Sequence, residues 1–107
     1  MIVSTLRRTC TVTSQEEWDA RQARLLARLT PYLQRQPGFI AHELRRDGDG
    51  DGDAGGMIET TTWASEADCR AYLRGGAAAM AATWLDAFFP TAAFPDGNWV
   101  RETAARP

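Results

Sequence analysis

The chain has 107 residues, which fits one compact domain over 1–107, and at 44% apolar and 24% charged it can build a core without disulfide staples. Its formal net charge of −2, from 14 acidic and 12 basic residues, argues against nucleic acid as a partner. The basic residues are all arginine, which removes Schiff-base, P-loop and Ser–Lys chemistry, and His42, Cys10 and Cys69 are too few ligands for a zinc site, so neither a metal nor a cofactor is expected.

The opening residues lack a charged segment before an apolar core, and no apolar run approaches the ~18 residues of a membrane span. The expectation is a cytoplasmic protein with no membrane partner. Residues 2–12 are rich in β-branched types, with Ile2, Leu6, Cys10 and Val12 on one parity, and predict a strand. Ser14-Gln15-Glu16-Glu17 is a capping box that opens a helix. Its apolar positions Trp18, Leu25, Leu26, Leu29, Tyr32 and Leu33 recur with helical spacing. Pro31 should kink this helix or start a new turn after Thr30, and Pro37-Gly38 should end it.

Residues 39–46 and 57–64 read as two strands of a hairpin, joined by the polar loop 47–56. Ser65-Glu66-Ala67-Asp68 repeats the capping-box form and opens a helix with Cys69, Tyr72 and Leu73 on one face. Gly75-Gly76 breaks it, and 77–89 resumes as helix with Met80, Trp84, Ala87 and Phe88 inward. A loop over 90–97 and a short strand over 98–104 follow. The cysteines read as two free thiols, since nothing in their spacing asks for a disulfide.

The resulting order, β-α-β-β-α-β, is the ferredoxin-like α+β arrangement, with helices on one face of an antiparallel sheet. No segment remains to cover the second face. Ile40, Leu44 and Ile58 have the parity to point there, so a homodimer packed sheet to sheet is expected. Asp47, Asp49, Asp51 and Gly52 match the opening of a calcium loop, but its twelfth position is Ile58 and no helix enters it, so a plain hairpin tip is expected.

The Pro37-Gly38-Phe39 entry to the second strand, Trp63 at the end of the third, and Ser65-Glu66 before a helix carrying Arg70-Ala71-Tyr72-Leu73 together resemble the antibiotic-biosynthesis monooxygenase family of dimeric α/β barrels. The resemblance implies a pocket between sheet and helices, lined by a tryptophan that Trp63 matches. It also implies oxidation of an aromatic, polyketide-type substrate with O2 and no cofactor. Haem-degrading relatives ligate iron through a histidine on the second helix, and 65–89 contains none. Oxygenating members place Asn four residues before the tryptophan, whereas this chain has Glu59.

Glu59, Thr61 and Trp63 share parity and should face the helices. A carboxylate among apolar groups is a better proton acceptor than one in water, so Glu59 is the candidate base and Trp63 the stacking wall. Alternatively, Glu59 pairs with an arginine such as Arg7 or Arg101. Tyr72, Thr61, Trp84 and His42 are candidate substrate-binding residues. His42 shares parity with Ile40 and Leu44, toward the second face unless a bulge shifts the register. Three functions stay open: a cofactor-independent monooxygenase, a cyclase or isomerase using acid–base catalysis, and a dimeric ligand-binding accessory protein.

Overall fold

The computed structural model describes residues 1–9, 14–47, 56–90 and 100–105. Four strands, β1 (Ile2–Thr9), β2 (Phe39–Asp47), β3 (Gly56–Trp63) and β4 (Val100–Ala105), form one sheet in the order β2-β3-β1-β4, every neighbouring pair antiparallel. Helices α1 (Gln15–Gln34), α2 (Glu66–Arg74) and α3 (Ala77–Phe88) bury Leu25, Leu29, Leu33, Tyr72 and Leu85 against Leu6, Leu44, Met57 and Trp63 of the sheet. This is the predicted ferredoxin-like architecture, with its second helix divided at Gly75-Gly76.

Both predicted helix caps form. Ser14 Oγ accepts from the Glu17 amide at 3.1 Å, and Ser65 Oγ accepts from the Asp68 amide at 3.1 Å. The expected interruption at Pro31 does not occur as a new start, because α1 runs on to Gln34. Pro31 lies in the last turn, where it removes one ladder bond, to the Ala27 carbonyl, while Leu29 and Leu33 on either side stay fully buried. The strands also reach Asp47 and Gly56, one residue into each end of the expected loop.

The phase of α3 differs from the prediction. Ala81, Leu85 and the following Phe89 are buried, Trp84 and Phe88 are partly so, and Met80 and Ala87 are exposed. The helix restarts after Gly76, whose φ of +86° turns the chain, and the four-residue spacing from Ala77 then sets the inner stripe. Two arginines from elsewhere satisfy its C-terminal carbonyls. Arg21 Nη1 donates to the Phe88 carbonyl at 3.0 Å, and Arg8 Nη2 donates to the Phe89 carbonyl at 2.9 Å and to Asp86 Oδ1 at 2.7 Å.

The sharpest correction concerns β2. Gly38 (φ +77°) enters the strand beneath α2, and the pairing then shifts between Phe39↔Trp63 and Ala41↔Thr62, leaving Ile40 as an extra residue. Phe39, His42 and Leu44 consequently face the helices, while Ile40 stands 48% exposed. Leu44 is therefore core, not part of the outer face. That face carries Val3, Arg7, Glu43, Arg45 and Ile58. The expected β1 residues 10–12, the hairpin tip 48–55, the loop over 91–97 and residues 98–99 lie outside the described residues, and with them Cys10 and most of the calcium-like motif. Cys69 is a buried free thiol, as predicted.

Candidate active site

β3 pairs with β1 without interruption, so its period-two alternation carries Glu59, Thr61 and Trp63 to the helix side, and all three are buried. The bulge in β2 brings His42 to the same side, in register with Thr61. From there its imidazole reaches diagonally to Glu59, with Nε2 at 3.2 Å from Oε2. The two side chains are 5% and 4% exposed. Among the described residues His42 is the polar partner of the Glu59 side chain, and the second carboxylate oxygen, Oε1, has no hydrogen-bond partner.

Of the two arginines named for Glu59, Arg7 does not pair with it. Arg7 stands in register with Ile58, on the outer face, and is exposed; the side chain of Arg101 lies outside the described residues. The sequence expectation misses the Glu59–His42 pair because it takes the phase of β2 from Ile40. The flanking Glu43 and Arg45 carried the better signal, since charged residues at alternate positions mark the solvent side and place His42 and Leu44 inward.

Trp63 is fully buried. Its indole Nε1 donates to Thr61 Oγ1 at 3.0 Å, the Tyr72 ring lies over it at 4.6 Å and 32°, and Phe39 meets it edge-on at 5.7 Å. Glu59, Thr61, His42, Trp63 and Tyr72 thus form one continuous track, about 13 Å long along β3 at ~3.3 Å per residue. Trp84 stands apart, edge-on to Tyr32 of α1 at 5.0 Å. Tyr32 also donates its hydroxyl to the Ala77 carbonyl at 3.2 Å, so the Trp84–Tyr32 pair joins α1 to α3.

Two clefts lie near the tryptophan end of this track, one of them lined by Tyr72 and neither by Trp63 itself. One of about 330 Å³ lies between α2 and the β1–β4 edge, with Ile2, Cys69 and Leu73 in its wall; Ile2 is the register partner of Trp63. The other, about 150 Å³, lies at the start of α3 and includes Tyr72 and Gly75. The track combines a carboxylate–imidazole pair at one end with an aromatic stack at the other.

No helix among the described residues is long and apolar enough to cross a membrane. The chain has no match among curated proteins. Several solved structures share its fold. The monooxygenase from the gene ActVA-Orf6 of Streptomyces coelicolor, in complex with nanaomycin D, is 15% identical with a TM-score of 0.66, covering 99% of this chain and 87% of that one. SnoaB, a cofactor-independent oxygenase from Streptomyces nogalater, is 22% identical with a TM-score of 0.59, covering 99% of this chain and 93% of that one. A dimeric ferredoxin-like protein of unknown function from Jannaschia sp. CCS1 is 16% identical with a TM-score of 0.58, covering 99% of this chain and 100% of that one. The sequence model of the antibiotic biosynthesis monooxygenase family matches residues 6–84. With that match over most of its length, the chain belongs to the antibiotic biosynthesis monooxygenase family.

Proposed function

We propose that the protein is a small cofactor-independent monooxygenase that oxidises an aromatic, polyketide-type intermediate, with Glu59 as the base. The observation that carries this reading is the buried Glu59 carboxylate, one oxygen held by His42 and the other without a partner among the described residues, on the strand that also carries Trp63. The family and the fold shared with two oxygenases support it.

For a hydroxyanthrone, Glu59 removes a proton from the ring methylene. The resulting carbanion passes an electron to O2, and the radical pair joins to form a carbon–oxygen bond. Protonation gives a hydroperoxide, and loss of water leaves the carbonyl. The balance is CH2 + O2 → C=O + H2O, and all four electrons come from the substrate. Tyr72 lies on Trp63 as a flat ligand would, and it also lines the cleft at the start of α3.

The working unit is a homodimer closed over the outer sheet face, at whose β2 edge Ile40 stands 48% exposed. Sedimentation equilibrium at micromolar concentration is expected to give twice the monomer mass. A second reading, a cyclase or isomerase, is favoured by one observation. A carboxylate–imidazole pair stands where the family resemblance leads one to expect an amide, and such a pair supplies acid–base catalysis without O2. Turnover of a hydroxyanthrone separates the two, since an oxygenase stops under argon and a cyclase continues. Glu59→Gln is expected to lower turnover at least ~10²-fold, the scale of a lost general base; an unchanged rate would remove Glu59 from both reactions.

A further inference from the structure

We propose that His42 is a positioning residue, which holds the Glu59 carboxylate by its Nε2–H so that Oε1 is the oxygen that receives the substrate proton. The inference rests on Glu59 being the base and adds which of its oxygens acts and what holds it there. A base that takes a proton starts as a carboxylate, with acceptors only, so in this proposal the 3.2 Å contact between Oε2 and Nε2 has Nε2–H as its donor. With Oε2 so engaged, the carboxylate has one unengaged oxygen among the described residues.

The two flanking residues in register with Glu59 favour this arrangement. Leu6 and Leu44, the register partners of Glu59 on its two flanking strands, are both buried and apolar, so neither offers a competing donor. At 5% and 4% exposure the pair is largely shielded from water that would let the carboxylate rotate. The bulge at Ile40 is part of the device, because without the extra residue the pairing that starts at Phe39↔Trp63 would turn His42 to the outer face.

The chain has 1 histidine, so protein labelled with ¹⁵N-histidine gives the imidazole signals of His42 alone. A long-range ¹H–¹⁵N correlation at neutral pH is expected to show a protonated Nε2 whose hydrogen exchanges slowly with solvent. A bare Nε2, with the proton on Nδ1 alone, would overturn the proposal, because Glu59 would then be the donor. This readout does not depend on turnover. If the wild-type protein fails to oxidise a hydroxyanthrone, the proposed reaction falls and the spectrum still decides the arrangement of the pair.

The kinetic arm uses the same hydroxyanthrone. His42→Leu removes the donor and is expected to lower kcat ~10-fold to 100-fold, the scale of a small misplacement of a reacting group, with KM nearly constant. His42→Gln keeps an N–H donor of similar reach and is expected to recover most of the lost rate. Full kcat in the leucine variant, or a folded glutamine variant as slow as the leucine one, would overturn the proposal. Should His42→Leu fail to fold, the glutamine variant and the spectrum decide the question.

Discussion

Replacing both members of the Glu59–His42 pair should harm stability less than replacing His42 alone. The two side chains are 5% and 4% exposed, so solvent does little to compensate a lost partner. His42→Leu leaves a buried carboxylate without its hydrogen bond, and breaking such a pair costs about 3–5 kcal/mol. Glu59→Leu leaves an imidazole N–H without an acceptor, a loss of about 1–3 kcal/mol. The double variant leaves neither group, and two leucines among Leu6 and Leu44 regain apolar contact, so its cost should be about 0–2 kcal/mol. Against a total stability of about 5–15 kcal/mol, His42→Leu alone takes a large share. At about 4–8 °C per kcal/mol for a chain of this size, its Tm should fall by ~12 °C or more, and the double variant should recover most of that. Urea unfolding of the four proteins completes the cycle. A double variant as unstable as the sum of the two single losses would show that the pair is not coupled.

Two further substitutions test the frame that positions the site. Gly38→Ala places a Cβ at 2.2–2.5 Å from the Asp68 side chain and asks alanine to hold a φ of +77°. The left-handed strain and the disturbed Ser65–Asp68 cap should together cost about 2–3 kcal/mol in chemical denaturation, and a loss under ~1 kcal/mol would contradict the assigned turn. Pro31→Ala restores an amide donor to the Ala27 carbonyl at an exposed position in the last turn of α1. After the entropy regained by the unfolded chain is set against it, a net stabilisation of about 1–2 kcal/mol is expected, and a lower Tm would mean that the proline is locally accommodated.

The inward set on β3 was legible from residues alone because its pairing with β1 is regular from Ile2↔Trp63 to Thr9↔Gly56, so parity in sequence is parity in space. β2 was not, because a single extra residue at Ile40 reverses the face of everything after it, and local sequence carries no strong bulge marker there. The same physics moved the inner stripe of α3. Its phase is set by the turn at Gly76 and by packing on α1, not by where the largest side chains fall. The local sign that remained was the alternation of Glu43 and Arg45, which places His42 inward and within reach of Glu59. Arg8 shares parity with the inward Ile2 and Leu6, and the use of its buried guanidinium on the Phe89 carbonyl emerges only from the tertiary structure. The recognisable motifs, Pro37-Gly38-Phe39 and Trp63, survived because each is fixed by backbone geometry at the end of a strand.

The central claim, that this chain couples proton abstraction by Glu59 to direct reaction of an aromatic substrate with O2, is tested most directly by an oxygen electrode. Purified protein supplied with a hydroxyanthrone is expected to consume one O2 per quinone formed, at a rate lowered at least ~10²-fold in Glu59→Gln. Quinone formation at an unchanged rate in Glu59→Gln, or product formed without oxygen uptake, would contradict it.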